Sequence, residues 1–308
     1  MTTRTRELRV GTRKSPLARW QAAVVIGALS PVATCEEVLI TTEGERAPDV
    51  PLPEIGGEGV FTAALERALH AGHIDFAVHS LKDLPLDQSD GLVIAAVGWR
   101  ADPRDVMIGR HRPTLATLPR GATVATSSNR RMAQLRAARS DLTIVPLRGN
   151  VDTRVRKALS PKATYDAIVI AAAGVERLGL QETVSEILST HVMLPAPGQG
   201  ALAVQCRADD RATQSLFGPL DDPVARATTT AERAFLAGLG GGCSAPVAAL
   251  GTPAPADPAL LRLTGLVASL DGQQVVRVAG SGAITDPLAL ARRLADEAIS
   301  RGARALLR

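Results

Sequence analysis

The sequence predicts an α/β fold in which two similar domains face a cleft, followed by a smaller α+β domain. Apolar runs of strand character alternate with helical patterns through most of the chain. A strand, a Thr/Ser turn with arginine and then a helix occur twice in that order, as "LRVGTRKSPLA" and as "ATVATSSNRRMA". From Asp221-Asp222-Pro223 onward the pattern changes to a helix, short strands about an Asp271-Gly272 turn, and a closing amphipathic helix. Largely parallel pairing follows for the first two domains, which read as 1–99 with 200–218 and as 100–199, leaving 219–308 to the third.

Leu8 to Val10 begins the first sheet, and Ser15-Pro16 opens a helix from Pro16 to Leu29, since proline at a first helical position gives up an amide that lacks a partner anyway. A strand at Val38 to Thr41 and a helix at Val60 to His70 come next. The buried strand Ile74 to His79 has Asp75 at its mouth, and Leu92 to Val97 follows it. The second domain repeats the plan with strand Val124 to Thr126, helix Arg130 to Arg139, strand Ile144 to Leu147, helix Val151 to Leu159, and strand Ala167 to Ile170 with Asp166 at its mouth. Ala201 to Gln205 is a further strand. The last helix places Leu288, Ala291, Leu294, Ala298 and Ile299 on one face.

A chain of 308 residues with 45% hydrophobic content is long enough for two or three domains with sizeable cores. Cys35, Cys206 and Cys243 are an odd number without a C-x-x-C pair, which argues against a disulfide framework or a zinc knuckle and for a reducing, cytoplasmic setting. Gln21 to Cys35 loosely imitates a secretion signal with a lipid-acceptor cysteine. Its basic lead-in is too long, Thr34 suits such a cleavage position poorly, and Ser15-Pro16 marks a helix start instead. No other stretch could span a membrane.

The net charge is +4, and lysine occurs only at 14, 82, 157 and 162, so the basic character is arginine. Coding bias accounts for much of it, but clustering does not follow from bias. Between Gly121 and Ser160, Arg130, Arg131, Arg136, Arg139, Arg148, Arg154, Arg156 and Lys157 face only Asp141 and Asp152 in sequence. Such a segment calls for an anionic partner. With 2% aromatic residues and no lysine-rich arm, a small polyanion fits at least as well as nucleic acid.

Strand-to-helix turns expose backbone N–H groups at the positive end of a helix dipole. Ser15 and Thr126-Ser127-Ser128 stand at such turns beside Arg13, Arg130 and Arg131; N-capping accounts for the hydroxyls but not for the paired arginines. "LRGNVDTR" sets Arg148 at a strand end and Arg154 in the next helix, within reach of the same cleft or on a plain surface turn. "AVHSLKDLP" delivers Ser80, Lys82 and Asp83 at the carboxyl end of a buried strand, where α/β sheets hold ligands. A carboxylate there could stabilise a cation and pass protons. Nothing matches a Walker loop, G-x-S-x-G or H-E-x-x-H, no metal is expected, and "GGEG" at Gly56 to Gly59 reads as a mobile loop.

Together, "GTRKSPLA", "FAVHSLKDLP", "DPRD", "ATSSNRR", "LRGNVDTR", "AGVERLG", "LPAPGQGALAVQCR" and "GGCSAP" follow the order of the porphobilinogen deaminase (hydroxymethylbilane synthase) family across nearly the whole chain, which therefore resembles that family. The resemblance implies two domains of the type II periplasmic-binding-protein kind and a third that bears a dipyrromethane cofactor, built from substrate and held by Cys243 through a thioether. The glycines Gly238 to Gly242 would then let a mobile loop carry the growing chain. It implies head-to-tail condensation of four porphobilinogen molecules with loss of ammonia, giving hydroxymethylbilane; each pyrrole carries an acetate and a propionate. Asp83 matches the catalytic aspartate. Ser80, Lys82, Asp83, Thr126, Ser128, Arg130, Arg131 and Gly174 would hold the cofactor. Arg13, Ser15, Gln21, Arg148, Arg154 and Arg177 would hold substrate or the growing chain, and Arg139 would be a solvated helix residue. Where many relatives carry loop lysines this chain has Glu54 and Glu58, so the loop is left out of the site. The implied protein is a cytoplasmic monomer with no nucleic-acid or membrane partner. A plain anion-binding module would have no use for a lone cysteine on a glycine loop in an appended domain, and a nucleic-acid binder should lose affinity steeply as salt rises.

Overall fold

Two five-stranded sheets and one three-stranded sheet organise the chain in the computed structural model, which describes residues 6–42, 59, 62–242 and 244–307. The chain divides into two compact units, the first comprising Met1–Trp99 and Ala201–Arg226, the second Arg100–Gly200 and Ala227–Arg308.

In the first unit, β1 (Arg6–Thr12) buries Leu8 and Val10 and leads into α1 (Pro16–Leu29). Ser15 Oγ caps this helix by accepting from Ala18 N at 3.2 Å, and its buried residues Ala18, Gln21, Ala22, Val25 and Leu29 recur at helical spacing. The sheet adds β2 (Ala33–Leu39), β3 (Phe76–Ser80), β4 (Leu92–Gly98) and β10 (Leu202–Arg207), in the order β2-β1-β3-β10-β4. One face is covered by α1, while α2 (Ala63–His70) sends Leu65, Ala68 and Leu69 into a cluster with Ile74, Ala77 and Leu92. Phe76 meets Phe217 of α6 (Arg211–Phe217) edge to face, with ring centroids 5.1 Å apart. Such a pair contributes about 1 kcal/mol beyond its burial.

The second unit repeats this plan. Its sheet, β7-β6-β8-β5-β9, is made of β5 (Asp105–Ile108), β6 (Thr123–Ala125), β7 (Thr143–Val145), β8 (Ala167–Ala171) and β9 (Glu186–Ile187). The helices α3 (Asn129–Ala138), α4 (Val151–Leu159) and α5 (Ala172–Arg177) accompany it. The two aspartates at strand mouths do matching work. Asp75 N donates to Arg9 O and its carboxylate accepts from Arg9 N, both across β1 and β3; Asp166 N donates to Thr123 O and its carboxylate accepts from Thr123 N in the second sheet. Each splints two parallel neighbours, β1 to β3 in the first sheet and β6 to β8 in the second.

A three-stranded antiparallel sheet of β11 (Val247–Ala254), β12 (Asp257–Ala268) and β13 (Val275–Ala283) follows α7 (Pro223–Gly238). The expected Asp271-Gly272 turn joins β12 to β13, with Gly272 at φ 74°. Within the second unit, Glu232 of α7 ties this part to the second sheet. Fully buried, it accepts from Arg100 Nη2, Gly251 N and Gly198 N, each at 2.7 Å. The closing helix α8 (Pro287–Ser300) buries Leu290, Ala291, Leu294, Ala295 and Ala298. Leu288, expected on that face, is instead exposed in the first turn.

Other differences from expectation have physical causes. Pairing is not largely parallel: in each five-stranded sheet two of the four pairings are antiparallel, and both involve the strand, β10 or β5, that the chain enters directly from the other unit. The second strand lies at Ala33–Leu39 rather than Val38 to Thr41, since an edge strand with Glu36 and Glu37 shows little apolar patterning. The wholly buried β5 follows Pro103 and was not anticipated. Among the described residues no helix is long and apolar enough to cross a membrane, and no cluster of His, Cys, Asp and Glu could hold a metal.

His79 is buried in β3, and burial pushes its imidazole down to about 4, a shift that the charge of Glu66 opposes. The folded state therefore binds fewer protons there than the unfolded chain, so this contribution is full above the ordinary value of 6.5 and is lost as pH falls toward 4. Between those limits the loss should reach roughly 3 kcal/mol. Urea unfolding of wild type and His79→Gln at pH 7 and pH 4.5 checks this: the variant should lose less stability on acidification, and equal losses would show that His79 does not titrate as described.

Candidate active site

The candidate residues of the first unit gather at the carboxyl ends of β1 and β3, which are parallel neighbours. Ser80 ends β3, and a single 3-10 turn, Leu81–Asp83, follows. Leu81 N donates to Ala201 O at 3.0 Å, and Leu84 N closes the turn on Leu81 O at 3.2 Å. The turn leaves Lys82 half-buried and Asp83 exposed, with no ion pair to Asp83 among the described residues. Gln21 reaches over from α1: its Nε2 donates to Ser80 Oγ at 2.8 Å. Arg13 is half-buried just beyond β1, and Ser15 is buried as the α1 cap. Ser15 Oγ accepts the capping bond, and its O–H remains a donor.

In the second unit the same sheet edge carries Thr126 and Ser128 after β6, Arg148 after β7, and Gly174 and Arg177 after β8. Thr126 Oγ1 accepts from Ser128 N at 3.3 Å, and Ser128 Oγ caps α3 at Arg131 N. Arg130 and Arg131 do not point into solvent. Both are buried against Asp105: Arg131 Nη2 donates to Oδ1 at 2.8 Å, and Arg130 Nη1 lies 2.8 Å from Oδ2 while also donating to Leu194 O. Burial opposes the charge on Asp105, but the two guanidiniums overcome this and hold its carboxyl well below the usual range. Burial likewise lowers Arg130, and Asp105 pulls it back. Gln199 Nε2 adds a 2.9 Å bond to Asp105 Oδ1.

Two cations against one anion leave one positive charge in excess, and the Nε–H groups of both arginines have no hydrogen-bond partner. That imbalance suits a carboxylate-bearing ligand or cofactor. Arg177 is buried as well; its Nη2 donates to Gly200 O at 2.6 Å, and burial pushes its guanidinium down to about 10. Arg154 Nε donates to the carbonyl of Gly149, the residue after Arg148, at 2.7 Å. Arg148 is half-buried and makes no ion pair among the described residues.

Cys243, Glu54 and Glu58 lie outside the described residues, as do 56–58 of the "GGEG" stretch. The chain on either side of Cys243 is described. Ala245 N donates to Gly242 O at 3.0 Å, and Asn129 Nδ2 at the start of α3 donates to Ser244 O at 2.9 Å. Two of the glycines before the cysteine have a local backbone reason. Gly240 has φ 70°, and a Cβ at Gly241 would stand 3.0 Å from Leu236 and 3.1 Å from Ala245.

Arg139 is also unlike its expectation. It ends α3 and grips Asp141 with Nε at 2.7 Å and Nη2 at 2.8 Å, while Nη1 donates to Leu115 O at 2.8 Å. It is a structural anchor and not a solvated residue. Asp105, Gln199 and Asn129 are the residues that sequence reasoning passed over. A signal existed for Asp105, because two adjacent arginines at the start of a packed helix require a buried anion, and "DPRD" offers one at a strand start.

A family model described as "Porphobilinogen deaminase, dipyromethane cofactor binding domain" matches residues 8–215, and one described as the C-terminal domain of porphobilinogen deaminase matches residues 227–300. The chain is 48% identical over 303 residues to the porphobilinogen deaminase of Roseiflexus castenholzii, covering 97% of this chain and 98% of that one. It is also 48% identical over 304 residues to the porphobilinogen deaminase of Moorella thermoacetica, covering 98% and 96%. Among solved structures, the periplasmic aliphatic sulphonate binding protein of Escherichia coli is similar with a TM-score of 0.37 and 16% identity, over 76% of this chain and 70% of that one.

The arginines divide by what already holds them. Arg148→Lys keeps the charge but loses a planar two-bond grip, so kcat/KM should fall roughly tenfold with the melting temperature unchanged. Arg139→Lys should lower the melting temperature and leave kcat/KM near wild type. Steady-state kinetics and thermal unfolding on both variants check the division, and a swapped or equal pattern would refute it.

Proposed function

The chain belongs to the porphobilinogen deaminase family and is a transferase of tetrapyrrole biosynthesis that condenses porphobilinogen on a dipyrromethane cofactor; from that premise we propose which of its residues do the work. Asp83 is the catalytic carboxylate. The observation that supports this most directly is its position: exposed at the carboxyl end of β3, beside Lys82 and the Ser80–Gln21 pair, and without an ion-pair partner among the described residues.

At each condensation the aminomethyl C–N bond of an incoming porphobilinogen breaks and ammonia leaves. A C–C bond then forms from the free α-carbon of the terminal pyrrole, which gives up its proton. Asp83 stabilises the cation left by ammonia and accepts the α-proton. Its negative charge also balances the positive charge that the surrounding basic groups bring to the substrate's acetate and propionate. Arg13, Ser15 and Gln21 of the first unit and Arg148, Arg154 and Arg177 of the second are the groups that bind substrate or the growing chain. The cofactor, when bound, supplies the nucleophilic pyrrole on which the chain is built. Cys243 holds it, and Lys82, Thr126, Ser128, Arg130, Arg131 and Gly174 receive its carboxylates. The excess positive charge at Asp105 supports that assignment.

The division into 1–99 with 200–218, 100–199 and 219–308 remains our reading of the domains. We also read the protein as a cytoplasmic monomer with no nucleic-acid partner, on the strength of its odd, unpaired cysteines and scarce aromatics.

Asp83→Asn should leave the fold and cofactor in place and lower turnover by at least a hundredfold, the usual cost of losing one charge-stabilising group. Near-normal turnover at saturating porphobilinogen would remove Asp83 from its role. Protein made in a host that produces porphobilinogen should carry two extra pyrrole units by denaturing mass spectrometry. Cys243→Ser should abolish that adduct; a bare mass in active wild type, or an adduct surviving the substitution, would refute the attachment.

A further inference from the structure

Asn129 stands first in α3, between the cap Ser128 and the buried pair Arg130 and Arg131. A residue there needs no side-chain amide for the helix itself, since Ser128 already caps it. Its Nδ2 instead donates to Ser244 O at 2.9 Å, the carbonyl of the residue directly after Cys243. The chain before the cysteine is fixed independently by α7, through Gly240 N to Ala237 O at 2.9 Å and Gly241 N to Leu236 O at 3.3 Å. After it, Pro246 O accepts from Ala268 N at 3.2 Å. Ser244 lies between these two anchorages, and its tie comes from α3.

The same helix is attached to the C-terminal sheet elsewhere. Arg136 Nη1 donates to Leu270 O at 2.8 Å, and a Cβ at Gly272 would stand 2.4 Å from Ala137 N. Loss of the Asn129 bond would therefore release the loop without undocking the sheet. We propose that Asn129 is a positioning residue for the cofactor: its amide fixes the loop that bears Cys243 at the start of α3, next to Thr126, Ser128 and the two arginines. This rests on the reading that Cys243 carries the dipyrromethane. An amide is required because the partner is a carbonyl, which accepts only from a donor; an aspartate at this place would present oxygen to oxygen.

The test compares Asn129→Leu, Asn129→Asp and Asn129→Gln with wild type, each made as apoprotein in a host unable to produce porphobilinogen. Two quantities are read: hydrogen exchange of the Ser244 and Ala245 amides, and the rate at which added porphobilinogen raises the intact mass by two pyrrole units. Losing one neutral hydrogen bond should speed loop exchange roughly three- to tenfold in the Leu and Asp variants. Adduct formation should slow by a similar factor, with melting temperatures unchanged. Asn129→Gln keeps a donor and should recover most of both. Wild-type exchange and loading rates in Asn129→Leu overturn the proposal alone. Wild type that never gains the adduct on Cys243 overturns the reading beneath it as well, while the exchange data still report whether Asn129 holds the loop.

Discussion

Asp105 is fully buried, and a carboxylate in that position stays ionised only because two guanidiniums surround it. The arrangement of the second unit's site follows from this one cluster. Arg130 and Arg131 occupy adjacent positions at the start of α3, so holding both against one carboxylate fixes the rotation of the helix and the place of its first turn. Gln199 brings the 195–200 segment to the same oxygen. A cluster of two cations and one anion is balanced only when a further negative group arrives. Structural anchoring and readiness for a carboxylate-bearing ligand are then the same electrostatic fact.

The scaffold supplies the second ingredient by repetition. Both sheets use one strand order and one splint, an aspartate at the start of β3 or β8 whose backbone and side chain clasp the parallel neighbour, β1 or β6. Clasping the amino ends of those strands leaves their carboxyl ends as the edge that turns into helices and loops. Every described candidate residue except Gln21, which stands on α1, is found on those turns or just beyond them. Asp83 and Arg148, which make no ion pair among the described residues, lie there as well, on turns whose backbones are held by hydrogen bonds to neighbouring strands or side chains.

Glu232 completes the frame within the second unit. Its carboxylate takes three bonds from three separate segments, at Arg100, Gly198 and Gly251, so the small C-terminal sheet is joined to the second α/β sheet through a buried charge as well as apolar contact. Burial raises its proton affinity while Arg100 opposes that, which makes the pair interdependent. Gly240 and Gly241 before the cysteine are there for a left-handed turn and a close approach, and the chain leaves α7 along a defined path.

The sequence by itself determined the elements and the chemistry. Helix limits at Pro16–Leu29 and Val151–Leu159, the duplicated plan, the Asp271-Gly272 turn and the clustering of Ser80, Lys82 and Asp83 at a strand end are all local, because caps, turn residues and strand ends are set by neighbours in the chain. Only the tertiary structure decided which charged residues are free and which are spent. Arg139 and Arg148 look alike in sequence, yet one is gripped by Asp141 and the other makes no ion pair among the described residues. Asp105 and Glu232 find their partners across the fold, Leu288 turns outward in the first turn of its helix, and β2 hides among edge residues. Such outcomes depend on contacts between distant segments, and the physical reason they escape a linear reading is that burial and ion pairing belong to the packed surface and not to any single stretch of chain.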